Sequence, residues 1–226
     1  MQIIDLSQPL YDDCPNCPAH PPVKMSVIGK HAAGGDRFGD TWHMEMLQFA
    51  SHTGSHVDAP LHKVPGGGST DDVPLESWTG PARIVDLRGI AASGQITAEM
   101  LAAKLPAEIK EEWILLATGF GDKKAHTREW LHEAPVLAHE GAAWLVEKGV
   151  RGVGIDHYSI GDGATHAILL GGGRDSADAG RSVLIVEELH FPEKVFTLKQ
   201  PAEFWCLPIN LRAHSGAPCR PVLILR

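Results

Sequence analysis

The sequence predicts an α/β chain whose amino-terminal third is all β. Three observations carry this reading: short β-type runs recur with turn residues between them, two stretches carry helix start and stop signals, and the middle of the chain runs strand, helix, strand. Taken in order, Ile3–Leu6, Val23–Ile28 and Met44–Ala50 read as strands, with Ser, Pro or Gly near their ends. Ala82–Leu87 is the next. Thr97 is then placed as the N-cap of a helix over Ala98–Lys104. Trp113–Thr118 is a strand, and Glu140–Lys148 is a helix that carries Ala143, Trp144 and Val146 and stops at Gly149. Gly152–Asp156 returns as a strand, and Pro221–Leu225 closes the series. Gly66–Gly68 and Gly171–Gly173 are loops, and no internal repeat is found.

With 226 residues, 43% hydrophobic and 21% charged, the chain has the composition of a folded protein. No Ser/Pro/Gly linker separates two periodic halves, so one domain over 1–226 is expected. The formal net charge of −8, without a basic stripe, argues against nucleic acid as a partner. The start MQIIDLS lacks a basic, apolar leader, and no run of about 18 apolar residues suggests a membrane span. Cys14, Cys17, Cys206 and Cys219 are too dispersed for a disulfide framework, which makes a reducing, cytoplasmic setting the expectation. The thirteen histidines are the unusual feature, because imidazole both binds transition metals and moves protons near neutral pH.

Their placement is informative in HTGSHVDAPLH, where His52, His56, Asp58 and His62 all occupy even positions within eleven residues. Extended chain turns alternate residues to one face, so these four share a face while Val57, Ala59 and Leu61 turn away. A helix fits poorly, since Asp58 would lie about 200° around from His56. A straight strand also fails, because it would hold His52 and His62 roughly 33 Å apart, whereas ligand atoms sit about 2 Å from a metal. The chain must bend, and Gly54 and Pro60 are the residues that allow it. Two imidazoles and a carboxylate leave open positions on a divalent ion, which suits hydrolysis: bound water loses its proton near neutral pH and a carbonyl is polarised. The remaining member, His62, is assigned as general acid and base.

The row resembles the H-x-G-T-H-x-D-x-P-x-H motif of the cyclase family of metal-dependent hydrolases, which includes bacterial kynurenine formamidase and isatin hydrolase. DLSQPLYDD, GVRGVGID at Gly149–Asp156, THAILL at Thr165–Leu170, IVEEL at Ile185–Leu189 and the closing LPINLRAHSGAPCRPVLI are similar to further family stretches in the same order. The resemblance implies a swivelling β/β/α fold with a mixed sheet and a barrel-like β portion, and a homodimer or higher homo-oligomer. It implies that His52, His56 and Asp58 hold one ion, Asp58 bridges to a second, and His166 with Glu187 completes that second site. Glu187 is taken over Glu188 from the alignment of IVEEL. His62 is the implied proton carrier, and the metals are zinc or manganese, one or two ions per chain. The implied reaction is cleavage of a C–N bond in an amide, formamide or lactam small-molecule substrate, with lactone or ester cleavage as the near variant.

Three departures from the pattern stand out. Ser55 replaces the motif's threonine and keeps the hydroxyl. Asn16, in CPNCPAHPP, stands where family members acting on aryl substrates carry a tryptophan. The 171–181 stretch lengthens the interval between His166 and Glu187, and His157-Tyr158 stands where small residues or Pro are common. Elsewhere, Cys14 and Cys17 read as a loop, Arg174 and Arg181 as surface charge, and the six tryptophans as core or interface. A non-haem iron oxygenase built on His56, Asp58 and His166 is the competing enzyme class, but it leaves His52 and His62 without roles. A metal-binding protein without turnover is the third reading.

Overall fold

A computed structural model describes residues 1–29, 42–110, 112–172, 182–199 and 201–225. Arg174, Arg181 and the rest of the 171–181 insertion beyond Gly172 lie outside the described residues. In chain order the strands are β1 (Gln2–Asp5), β2 (Lys24–Gly29), β3 (Met44–Gln48), β4 (His56–Asp58), β5 (Thr79–Asp86), β6 (Gln95–Ile96) and β7 (Trp113–Ala117). They continue with β8 (Val136–Leu137), β9 (Gly152–Ile155), β10 (Leu184–Glu187), β11 (Ala202–Trp205), β12 (Gly216–Pro218) and β13 (Val222–Leu225). The helices are α1 (Ala98–Lys104), α2 (Arg128–His132), α3 (His139–Glu147) and α4 (Gly163–Leu170).

Nine strands form one mixed sheet in the order β1-β13-β11-β5-β7-β9-β10-β4-β12, curled into a half-barrel. Its centre, β5-β7-β9-β10, is parallel, and both flanks are antiparallel. Parallel strands are covered on both faces, which is why WILLA of β7 is buried throughout. Alternation divides it between two cores. Trp113, Leu115 and Ala117 pack with Trp78, Phe204 and Leu223 on one face; Ile114 and Leu116 face the other, with Leu101 of α1, Leu145 of α3 and Leu169 and Leu170 of α4. The expected α/β alternation is thus present. Gly152 shows how tightly the first layer closes, since a Cβ there would lie 2.4 Å from the Trp113 ring.

Four elements, of which α4, β10 and β12 position the site, had no clear signal in the sequence. α2 spans five residues, too few for a periodic pattern. α4 (GATHAILL) carries apolar residues around its circumference and shows no single stripe, and its start is set by Asp162, whose carboxylate accepts from the amides of Ala164 and Thr165. β10 and β12 are four and three residues long. Among the tryptophans, Trp78, Trp113 and Trp130 are fully buried, but Trp42 and Trp205 are 66% and 39% exposed, so core burial does not account for all six. No helix among the described residues is long and apolar enough to cross a membrane.

Candidate metal centre

The HTGSHVDAPLH stretch forms a short strand with a turn at each end. β4 lies between β10 and β12, and the register sets His56 opposite Glu187, and Asp58 opposite Gly216. Directly opposed residues project from the same face, so the ladder itself brings His56 to Glu187. Before β4 the chain turns at Gly54, whose φ of +71° lies in the left-handed region open to glycine. After it, Pro60–His62 forms one turn of 3-10 helix. The two bends fold the stretch back on itself, so that the His52 and His62 rings lie with centroids 4.0 Å apart.

Each buried imidazole is oriented from behind. His56 Nδ1 donates to the Gly54 carbonyl (2.7 Å), which leaves Nε2 facing Asp58 Oδ1 at 3.5 Å and Glu187 Oε2 at 3.3 Å. His166, on α4, donates from Nδ1 to the Asp162 carbonyl (2.8 Å) and turns Nε2 to Glu187 Oε1 at 3.2 Å and Asp58 Oδ2 at 3.7 Å. A ring nitrogen tied to a backbone carbonyl fixes the tautomer and presents the other nitrogen inward, the arrangement a metal-ligating histidine requires. His52 Nδ1 donates to Asp58 Oδ1 (2.7 Å), and its Nε2 is hydrogen-bonded to Ser215 Oγ (2.9 Å). Glu187 Oε1 also accepts from the Ile160 amide at 2.6 Å. Glu188, its neighbour, turns away to a buried ion pair with Lys124.

The charges on these groups are strongly interdependent. Burial opposes charge on His56, but the hydrogen bond to Glu187 and the field of Asp58 outweigh it and push its pKa up to about 9. His166 follows for the same reason, also to about 9. Burial and the Glu187 charge oppose ionisation of Asp58, yet the hydrogen bond from His52 and the charge of His56 hold its carboxyl below the ordinary range. Glu187 is likewise buried and is held far below its usual value by His166 and His56. At the mouth, loss of hydration lowers the pKa of His62, with the Asp58 charge opposing, so the imidazole is neutral near pH 7.

Among the described residues, two groups of side chains bring ligand atoms within 4.8 Å of one another: His52, His56 and Asp58, and then Asp58, His62 and His166. Asp58 is common to both, and its Oδ2 is buried with no hydrogen-bond partner. An orphaned, desolvated carboxylate oxygen between inward-facing imidazoles fits a divalent cation, and the nitrogen and oxygen donor set suits zinc or manganese chemistry. Sequence reasoning missed the groups that orient the donors: Ser215 and the Ile160 amide meet them only in three dimensions, whereas Asp162, four residues before His166, is a local N-cap signal. It also missed His20, which is half-buried and within the electrostatic reach of His56, His52, Glu187 and Asp58. Asn16, the position of interest in that segment, instead donates to the Pro21 carbonyl.

Fold and cluster together define an α/β protein with a candidate divalent-metal centre. The chain belongs to the Cyclase family, whose model matches residues 4–162. It is similar to the kynurenine formamidase of Bacillus mycoides (strain KBAB4), 29% identical over 230 residues, 98% of this chain and 97% of that one. The kynurenine formamidase of Salinibacter ruber is 32% identical over 181 residues, 78% and 77% of the two chains. In fold it is similar to isatin hydrolase A from Ralstonia solanacearum, with a TM-score of 0.79 at 21% identity, covering 100% and 92% of the chains.

Proposed function

We propose that this chain is a metal-dependent hydrolase that cleaves the C–N bond of an amide, formamide or lactam, working as one domain over 1–226. The observation that carries it is the orphaned Asp58 Oδ2, set among His56, His166 and Glu187 in a chain whose relatives over nearly its full length are kynurenine formamidases. His52, His56 and Asp58 would hold one ion, and Asp58, His166 and Glu187 a second, each zinc or manganese. When bound, such an ion acidifies a water and polarises the scissile carbonyl. His62 stands at the mouth with a neutral ring stacked near His52, suited to taking a proton from the attacking water and delivering it to the leaving nitrogen. The fused sheet supports the one-domain reading, since β1 pairs with β13. We place the enzyme in the cytoplasm as a homodimer or higher homo-oligomer, in keeping with its four free cysteines and its family resemblance.

The test is a panel of formamides, lactams and lactones offered to protein loaded with Zn2+ or Mn2+, alongside the variant His62→Ala. Hydrolysis of an amide-class substrate is expected, with turnover lowered on the order of 10²-fold or more in His62→Ala at unchanged metal content. Turnover confined to lactones would move the substrate class to esters. Loss of metal in His62→Ala would instead make His62 a ligand, a second reading favoured by its position within 4.8 Å of Asp58 and His166 donor atoms.

A further inference from the structure

The Lys124–Glu188 pair sits immediately behind the candidate centre and has no part in the reaction proposed above. Its side chains are 6% and 2% exposed, and Lys124 Nζ donates to Glu188 Oε1 and, more weakly, to the Pro9 carbonyl at 3.5 Å. Glu188 adopts a φ of +57°, a left-handed conformation that non-glycine residues rarely hold without compensation. At this turn the consecutive carboxylates part: Glu187, in the strand, points to His56 and His166, and Glu188 points to Lys124.

The backbone of Glu188 ties three further segments to the same point. Its amide donates to the His157 carbonyl (2.7 Å), and its carbonyl accepts from Ser55 Oγ (2.7 Å), whose oxygen accepts in turn from the Gln8 amide (2.8 Å). Ser55 adjoins His56, so the Glu188 turn is hydrogen-bonded to the loop that delivers one candidate ligand and covalently bonded to another. Glu188 Oε2 is buried without a hydrogen-bond partner, so Lys124 is the counter-charge that keeps this carboxylate in place.

We propose that Lys124 and Glu188 form a positioning pair for the metal centre: the ion pair holds the left-handed turn at Glu188, and that turn aims Glu187 and steadies the Ser55–His56 corner. This rests on the metal-centre reading above. Removing the lysine leaves a buried lone carboxylate, which relieves itself by relaxing the turn, and Glu187 moves with it.

The experiment titrates Mn2+ and Zn2+ into the full chain and compares the wild type with Lys124→Met, Lys124→Arg and Lys124→Met/Glu188→Gln. Leu101→Ala, a core substitution on α1, serves as a control for general loss of stability. The expected result is a 10–100-fold weaker metal affinity in Lys124→Met, the range found when groups supporting metal ligands are removed. A matching fall in kcat with KM little changed should accompany it, with substantial recovery in Lys124→Arg, which keeps the pair, and a smaller one in the double variant, which removes the lone charge without restoring the pair. Metal affinity and kcat in Lys124→Met equal to wild type would overturn the proposal while leaving the hydrolase reading intact. So would a loss of affinity that Leu101→Ala reproduces at equal thermal destabilisation. A wild type that binds neither ion would overturn the metal-centre reading, and the positioning role with it.

Discussion

Gly216 is a residue whose importance lies in the side chain it lacks. It stands opposite Asp58, and a Cβ added there would lie 2.3 Å from His52 Cε1 and 2.6 Å from the Val57 carbonyl. Room for it requires the His52 ring or the β4 backbone to shift, and a shift of the ring disturbs its contact with Asp58. Gly216→Ala is therefore expected to cost about 1–3 kcal/mol of stability through overpacking. Turnover should fall about tenfold or more as His52 leaves Asp58. Wild-type turnover in a folded Gly216→Ala protein would show that the His52–Asp58 contact is dispensable. The cluster His52, His56, Asp58 and His62 was legible in the sequence because all four residues lie on one short stretch and the bends have named causes, Gly54 and Pro60. The choice between Glu187 and Glu188 was not legible from the residues themselves, because it turns on a backbone angle and on a lysine 64 residues away. Ser215, 163 residues from His52, was beyond any spacing argument.

At the scale of elements, α4 is the support on which His166 depends. Asp162 acts on it twice: its carboxylate caps the amides of Ala164 and Thr165, and its carbonyl receives the His166 Nδ1 proton. His139 bonds the same carboxylate, and these contacts together bring its pKa down to about 2. Asp162→Ala should fray the first turn and weaken metal binding, with far-UV circular dichroism nearly unchanged, whereas Asp162→Asn should keep the cap and most of the affinity. Equal affinity in both variants would detach the cap from the centre. Leu169, wholly buried on the same helix, anchors it to the second core, and Leu169→Ala should cost about 2–5 kcal/mol in denaturant unfolding. The parallel strands β5, β7 and β9 and the helix α3 were legible from apolar runs and stop signals, whereas β10 was not. α4 was not, because a helix apolar on most sides lacks the stripe by which helices are found, and its identity is fixed by the capping carboxylate instead.

For the whole molecule, stability and metal affinity should respond to pH in opposite directions. In chelator, His56 and His166 have folded pKa values of about 9, raised from an ordinary 6.5, so their stabilising contribution is complete below 6.5 and is lost as pH rises through about 9. Glu187 has the reverse sign, contributing above its ordinary 4.5 and losing that contribution as pH falls below it toward the depressed folded value. Thermal unfolding in EDTA should therefore decline between pH 7 and 10, while Mn2+ affinity should rise over the same interval, because the imidazoles must shed their protons to ligate. A flat affinity across that range would mean that other groups hold the ion. The register that completes the centre also sets a schedule. β12 closes over β4, and His52 reaches Ser215 only after 163 further residues have been made, roughly ten to thirty seconds at ordinary rates of synthesis. During that interval α4 is made first, then β10, and β12 comes last. The donors on His52–Asp58 are therefore made well before the strand that completes their surroundings.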